Sequence, residues 1–217
     1  MYRQGLNQFR TVRAETLRLA AGISQARADF RPAPKEWSPG EILDHLLLAE
    51  KLYRGVFADL IALDKAGKRP TMFVGFDEVN TSIFGIPREI LPLLTAPFTI
   101  FNLFVPPLAR DIMLRYRIAP ARNPSVASPV RGKPVDELSA ELAASLRETE
   151  DLFAANPDAN YRAMRFHHPM MGSNDAARIF RLVALHEQRH QTQLQAALAA
   201  AVRQGIGVAD LEPSVTK

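Results

Sequence analysis

The sequence predicts an all-α fold of four long amphipathic helices, and three observations carry that reading. Apolar residues recur at helical rather than alternating spacing through four separate segments of the 217-residue chain. The composition is rich in Ala, Leu, Arg and Glu with few β-branched runs, which favours helix. Two of the four segments also open on explicit helix-start signals. With 47% apolar residues the chain can fill one core, so residues 1–217 read as a single domain carrying a long insertion at about 67–133.

The first helix is expected over about 6–30, on the period of Leu6, Phe9, Val12, Leu17, Leu19, Ala20 and Ile23, before two prolines in "RPAPKEW" break it. The second should run over 38–65. In "WSPGEI", Ser38 is the N-cap, Pro39 the first helical residue and Glu41 the partner in a capping box, with Trp37 stapled to Ile42. Its inward line reads Ile42, His45, Ala49, Leu52, Val56 and Leu60. The third helix, 135–155, places Leu138, Leu142, Leu146 and Leu152 on one side. The fourth should begin at Ser173 or Asn174, with Asp175 favourable in its first turn, and end near Gln204. Its inward face is Ile179, Leu182, His186, His190, Leu194 and Ala197. No segment reads as a strand.

The insertion holds most of the prolines and the uncharged run "ILPLLTAPFTIFNLFVPPLA". That run is long enough to span a membrane, but Pro92, Pro97, Pro106 and Pro107 would break the hydrogen bonding that lipid demands. Short helices over 81–118, packed on the bundle as a hairpin, a lid or a homodimer contact, are expected instead of a transmembrane span. Phe98, Phe101, Phe104 and Met113 are candidates to close an apolar pocket, or equally to be plain core of the insertion. "APARNPSVASPVRGKP" reads as an extended linker.

Composition narrows the function classes. The net charge of +4 is dispersed among acids, with no basic stripe interleaved with aromatics, which argues against nucleic acid as a partner. The absence of cysteine excludes disulfides, thiolate metal sites and a cysteine nucleophile. "MYRQGLNQFRTVRAETL" is charged and has no apolar signal region, so a cytoplasmic protein is expected.

The chemistry gathers on histidine. His186 and His190 lie one turn apart on an apolar stripe, and His45 lies on the stripe of another helix. Core histidines satisfied by hydrogen bonds are the ordinary explanation for one such residue. Three facing one interior fit a divalent metal, whose open fourth position can hold a reactive water. "HEQRH" is also a formal HExxH. A zinc peptidase would use Glu187 as base and need a third ligand such as Asp210 or Glu212. Glu187 lies about 100° round the helix from His186, however, and can equally stand behind the ligands. His168, or its neighbour His167, can line the site mouth or shuttle protons, or be an ordinary loop histidine. Arg162 and Arg165 are weaker candidates for meeting an anion.

"WSPGEILDHLLLAE" and "HPMMGSNDAARIFRLVALHEQRHQTQL" resemble, in order and spacing, the second- and fourth-helix motifs of the DinB-like (DinB/YfiT) superfamily. The resemblance spans most of the chain outside 67–118. It implies a four-helix bundle with a long Pro-rich helical insertion between helices two and three, and a metal held by His45, His186 and His190. It also implies a metal-dependent enzyme activating a thiol or water for transfer to a small-molecule substrate. Characterised members use bacillithiol, mycothiol or glutathione. Zinc or nickel is the expected ion, with a low-molecular-weight thiol as co-substrate. Arg189 and Gln191 depart from the family, standing where members often carry another histidine. A non-catalytic bundle that binds a metal or small ligand is the alternative from another class.

Overall fold

The Ser38 hydroxyl accepts from the Glu41 N–H at 3.2 Å, and the Glu41 carboxylate accepts from the Ser38 N–H at 2.9 Å. This reciprocal cap, with Pro39 as first helical residue, starts the helix that carries His45. The computed structural model describes residues 2–74, 90–97, 100, 105–116, 127–168 and 171–207. Among them the helices are α1 (Tyr2–Ala20), α2 (Gln25–Asp29), α3 (Pro39–Lys65), α4 (Pro107–Tyr116), α5 (Val135–Ala154) and α6 (Ala176–Arg203). The four long ones pack in a ring, α1 on α6, α6 on α3, α3 on α5 and α5 on α1. The fold is mostly helical, as the periodicity predicts.

Two apolar clusters fill the interior. One gathers Leu6, Phe9, Phe57, Leu60, Phe153, Ile179 and Phe180; the other gathers Ile42, Leu43, Leu46, Leu47, Leu138, Leu142 and Leu194. Between them in sequence, on every one of the four long helices, lies a buried polar residue: Arg13 and Thr16 on α1, Glu50 on α3, Thr149 on α5 and Glu187 on α6. Arg13, wholly buried, donates to both Glu187 oxygens at 2.8 and 2.9 Å, to Glu50 at 2.6 Å and to the Leu142 carbonyl at 2.9 Å. Thr16 donates to Glu187 and Thr149 to Glu50. Burial alone would lower the Arg13 pKa; the two carboxylates reverse that and raise it. Apolar burial at roughly 25 cal/mol per Å² drives the collapse, while this layer fixes how the helices are aligned.

Four expectations need correction. The first helix does not continue to residue 30. Gly22 adopts φ 73°, a left-handed conformation that ends α1, and α2 starts afresh although the apolar period runs through Ile23. The fourth helix starts later: Asp175 is its N-cap, accepting from the Arg178 N–H at 2.8 Å. Ser173 and Asn174 belong to a strand. Strands do exist. β1 (Thr71–Phe73) pairs in parallel with β2 (Arg165–His168), which pairs antiparallel with β3 (Gly172–Asn174). Segments of three or four residues are too short to show alternation, and pairing of partners far apart in sequence stabilises them. Finally, Leu52 is 43% exposed, and Phe57, at 1%, fills the interior instead.

The insertion is thus part strand, through β1, and part helix. A 3₁₀ turn spans Leu91–Leu94, and α4 packs on α6, where Asp111 accepts from Arg181 at 2.9 Å and pairs with Arg178. Phe98, Phe101 and Phe104 lie outside the described residues, as does the Met113 side chain. Beyond them the linker is tied down: Asp44, fully buried, accepts from the Val130 N–H at 2.8 Å and from Lys133 at 2.7 Å. No helix among the described residues is long and apolar enough to cross a membrane.

Candidate metal centre

His45 sits two turns into α3, and its direction follows from the cap that fixes the helix start. His186 and His190 lie one turn apart on α6. The structure brings all three together. Ring centroids are 5.0 Å apart for His45–His186, 4.7 Å for His45–His190 and 4.6 Å for His186–His190. One ligand nitrogen from each lies within 4.8 Å of the others. His45 and His190 are buried at 3% and 2% exposure; His186 is half-buried.

The hydrogen bonds assign the lone pairs. His45 Nδ1 lies 2.8 Å from the Ala127 carbonyl, which can only accept, so the proton is on Nδ1 and Nε2 carries a lone pair. That Nε2 lies 3.1 Å from His186 Nε2, close to the roughly 3.3 Å between two nitrogens held on tetrahedral zinc at about 2.0–2.1 Å. A backbone carbonyl behind a histidine is the arrangement that fixes metal-binding imidazoles. Burial lowers the His45 pKa against the Ala127 hydrogen bond, with the Arg189 charge adding to it. Burial lowers His186 well below its ordinary value, helped by His190, His45 and Arg189. Both rings are therefore neutral at pH 7, the form that coordinates metals. The donor set fits a borderline divalent cation.

Three neighbours went unread as site residues. Trp37 does more than staple its helix: its ring lies 4.8 Å from His45 and 5.9 Å from His190, forming an apolar wall. Ala127, at the end of the insertion, supplies the orienting carbonyl. Arg189 donates through Nη2 to His190 Nε2 at 3.1 Å. Trp37 carried a sequence signal in its place just before the cap, and Arg189 in standing where family members often carry another histidine.

The other candidates lie elsewhere. Glu187 points to α1, into the Arg13 network. His168 lies in β2, where its Nδ1 accepts from the Met171 N–H at 3.3 Å and burial brings its pKa down to about 4. His167 stacks on Phe73 at 4.3 Å. Arg162 and Arg165 line a cleft of about 570 Å³ with Tyr2, Tyr161 and Asp175; Asp175 is eleven residues from His186, about 16 Å along α6. Asp210 and Glu212 lie outside the described residues.

No curated protein and no solved structure matches the chain. A family model does, over residues 8–194. That stretch runs from the first turns of α1 to Leu194 of α6 and contains all three histidines. The helical fold and the motif order agree with it, and the chain belongs to the DinB superfamily.

Proposed function

We propose that the chain is a metal-dependent enzyme acting on a small molecule, with His45, His186 and His190 holding a divalent ion, zinc or nickel. The observation that carries this reading is the convergence of three imidazoles from two helices, one with its tautomer locked by Ala127. A bound ion of this kind supplies Lewis-acid chemistry, lowering the pKa of a thiol or water brought to it. The residues do the rest. Ala127 keeps the His45 proton on Nδ1. Trp37 covers two of the rings and restricts water, which strengthens electrostatic interactions inside the site. A low-molecular-weight thiol and transfer to a second small substrate are the reaction we favour, in the reducing cytoplasm that a cysteine-free chain suits.

The peptidase reading is weakened by one observation: Glu187, its required base, is engaged by Arg13 and Thr16. A non-catalytic metal-binding bundle would share the ligands but not an exchangeable site on the ion. Metal analysis of protein purified without chelator or nickel resin tests the proposal. The expected result is one zinc or nickel per chain, lost in His190→Ala and kept in Glu187→Gln. A metal-free wild type that also fails to take up added zinc would overturn it.

A further inference from the structure

Arg189 precedes one of the three histidines and brings a fixed positive charge to a cluster of neutral imidazoles. Its guanidinium has five N–H donors and no lone pair, so it cannot join the ligand set. Yet its Nη2 lies 3.1 Å from His190 Nε2 and donates to it. Its charge also contributes to lowering His45 and His186, two residues on different helices. A cation held against a would-be metal ligand is unfavourable for metal uptake on two counts: it occupies a lone pair, and it repels the ion. Both penalties turn into assets if the group that accompanies the ion is itself negatively charged. The planar fork then finds an acceptor suited to it.

We propose, resting on the metal-centre reading, that Arg189 is the anion-recognising residue of this site. Its guanidinium turns from His190 to the negatively charged group, a thiolate or carboxylate, of the small molecule brought to the ion. The substrate class is therefore anionic at the atom that approaches the metal. The charge on Arg189 selects it against neutral ligands of the same size.

The test uses the full chain loaded with cobalt(II), whose visible absorption reports ligand exchange. Thiocyanate serves as the anionic probe and imidazole as the neutral one. Arg189→Gln should weaken thiocyanate binding by roughly tenfold, the worth of one hydrogen bond to a charged group. Imidazole binding should change by less than about twofold, and cobalt itself should bind as tightly or severalfold tighter. Arg189→Lys, which keeps the charge but loses the planar fork, should bind thiocyanate with an affinity between those of wild type and the Gln variant. Arg189→Met, which preserves the packing of the stem, repeats the measurement if the Gln variant does not fold. Equal loss of both probes, no loss of either, or weaker cobalt binding in a folded Gln or Met variant overturns the role of Arg189 while leaving the metal centre standing. Failure of the wild type to bind cobalt overturns both.

Discussion

His186 and Glu187 are adjacent in sequence, yet they serve two polar clusters built on opposite terms. Glu187 turns towards α1, where Arg13 bridges two carboxylates, and the carboxylates take further hydrogen bonds from Thr16 and Thr149. His186 turns towards α3, where the rings of His45, His186 and His190 converge. In the first cluster each carboxylate oxygen accepts a hydrogen bond from a buried side chain. In the second, ring nitrogens of three histidines from two helices lie within 4.8 Å of one another, and a cation is the partner that such a set can share. Buried polar groups alone therefore do not mark a site; convergence of atoms that can ligate one ion does.

Breaking the ion-pair layer should have the largest effect. Arg13→Ala strands Glu50 and Glu187 in the core and should cost about 3–5 kcal/mol, read from urea unfolding. Replacing Arg13, Glu50 and Glu187 together with apolar residues of similar volume should recover most of that loss. If the triple variant is as unstable as the single one, charge pairing is not what the layer provides.

The histidine cluster should respond in a different currency. His190→Ala should lower metal affinity by more than about 100-fold, beyond the loss usual for a residue standing behind a ligand. Its metal-free stability should fall by only about 1–2 kcal/mol. Chelator competition and urea unfolding on the same sample separate the two quantities. A loss of fold comparable with that of Arg13→Ala would erase the distinction between the clusters.

Acid sharpens the contrast further. His168 titrates at about 4 in the folded chain and near 6.5 once unfolded. The unfolded state therefore binds the proton first. Its contribution to stability is complete above pH 6.5 and is lost as pH falls towards 4, by at most about 1.4 kcal/mol per unit. His45 and His186, also lowered, act in the same direction, and metal release should accompany their protonation. Urea midpoints at pH 7.5, 6 and 5 would show it; a flat profile would contradict burial of neutral imidazoles.

The smallest effect belongs to the cap. Ser38→Ala should cost about 1 kcal/mol by thermal or urea unfolding, with metal affinity within about threefold of wild type because later turns of α3 still hold His45. A larger loss of affinity than of stability would mean that the cap aims His45 more directly than its distance along the helix implies.

Much of this molecule was legible in its sequence because helices are local. The Ser38–Glu41 box, the Pro39 start and the i, i+4 spacing of His186 and His190 are set by contacts within a turn or two, and α3 and α5 begin and end within a residue of their expected limits. The apolar stripe of α6 placed its histidines inward for the same reason. What escaped depends on partners distant in the chain. The strands Thr71–Phe73 and Arg165–His168 find each other across some ninety residues. Leu52 and Phe57 trade places because neighbouring helices choose which edge of a stripe is covered. Glu187 was ambiguous at about 100° from His186, and only Arg13, 174 positions away, decided that it belongs to the ion-pair layer. Ala127 gave no pattern at all, and Arg189 only a departure from the family's histidine, since a backbone carbonyl and a lone arginine acquire meaning from what the fold sets beside them. The sequence by itself determined the helices and the faces that bear histidine; the tertiary structure decided which polar groups are matched and which lone pairs converge, because hydrogen-bond balance is a property of neighbours in space.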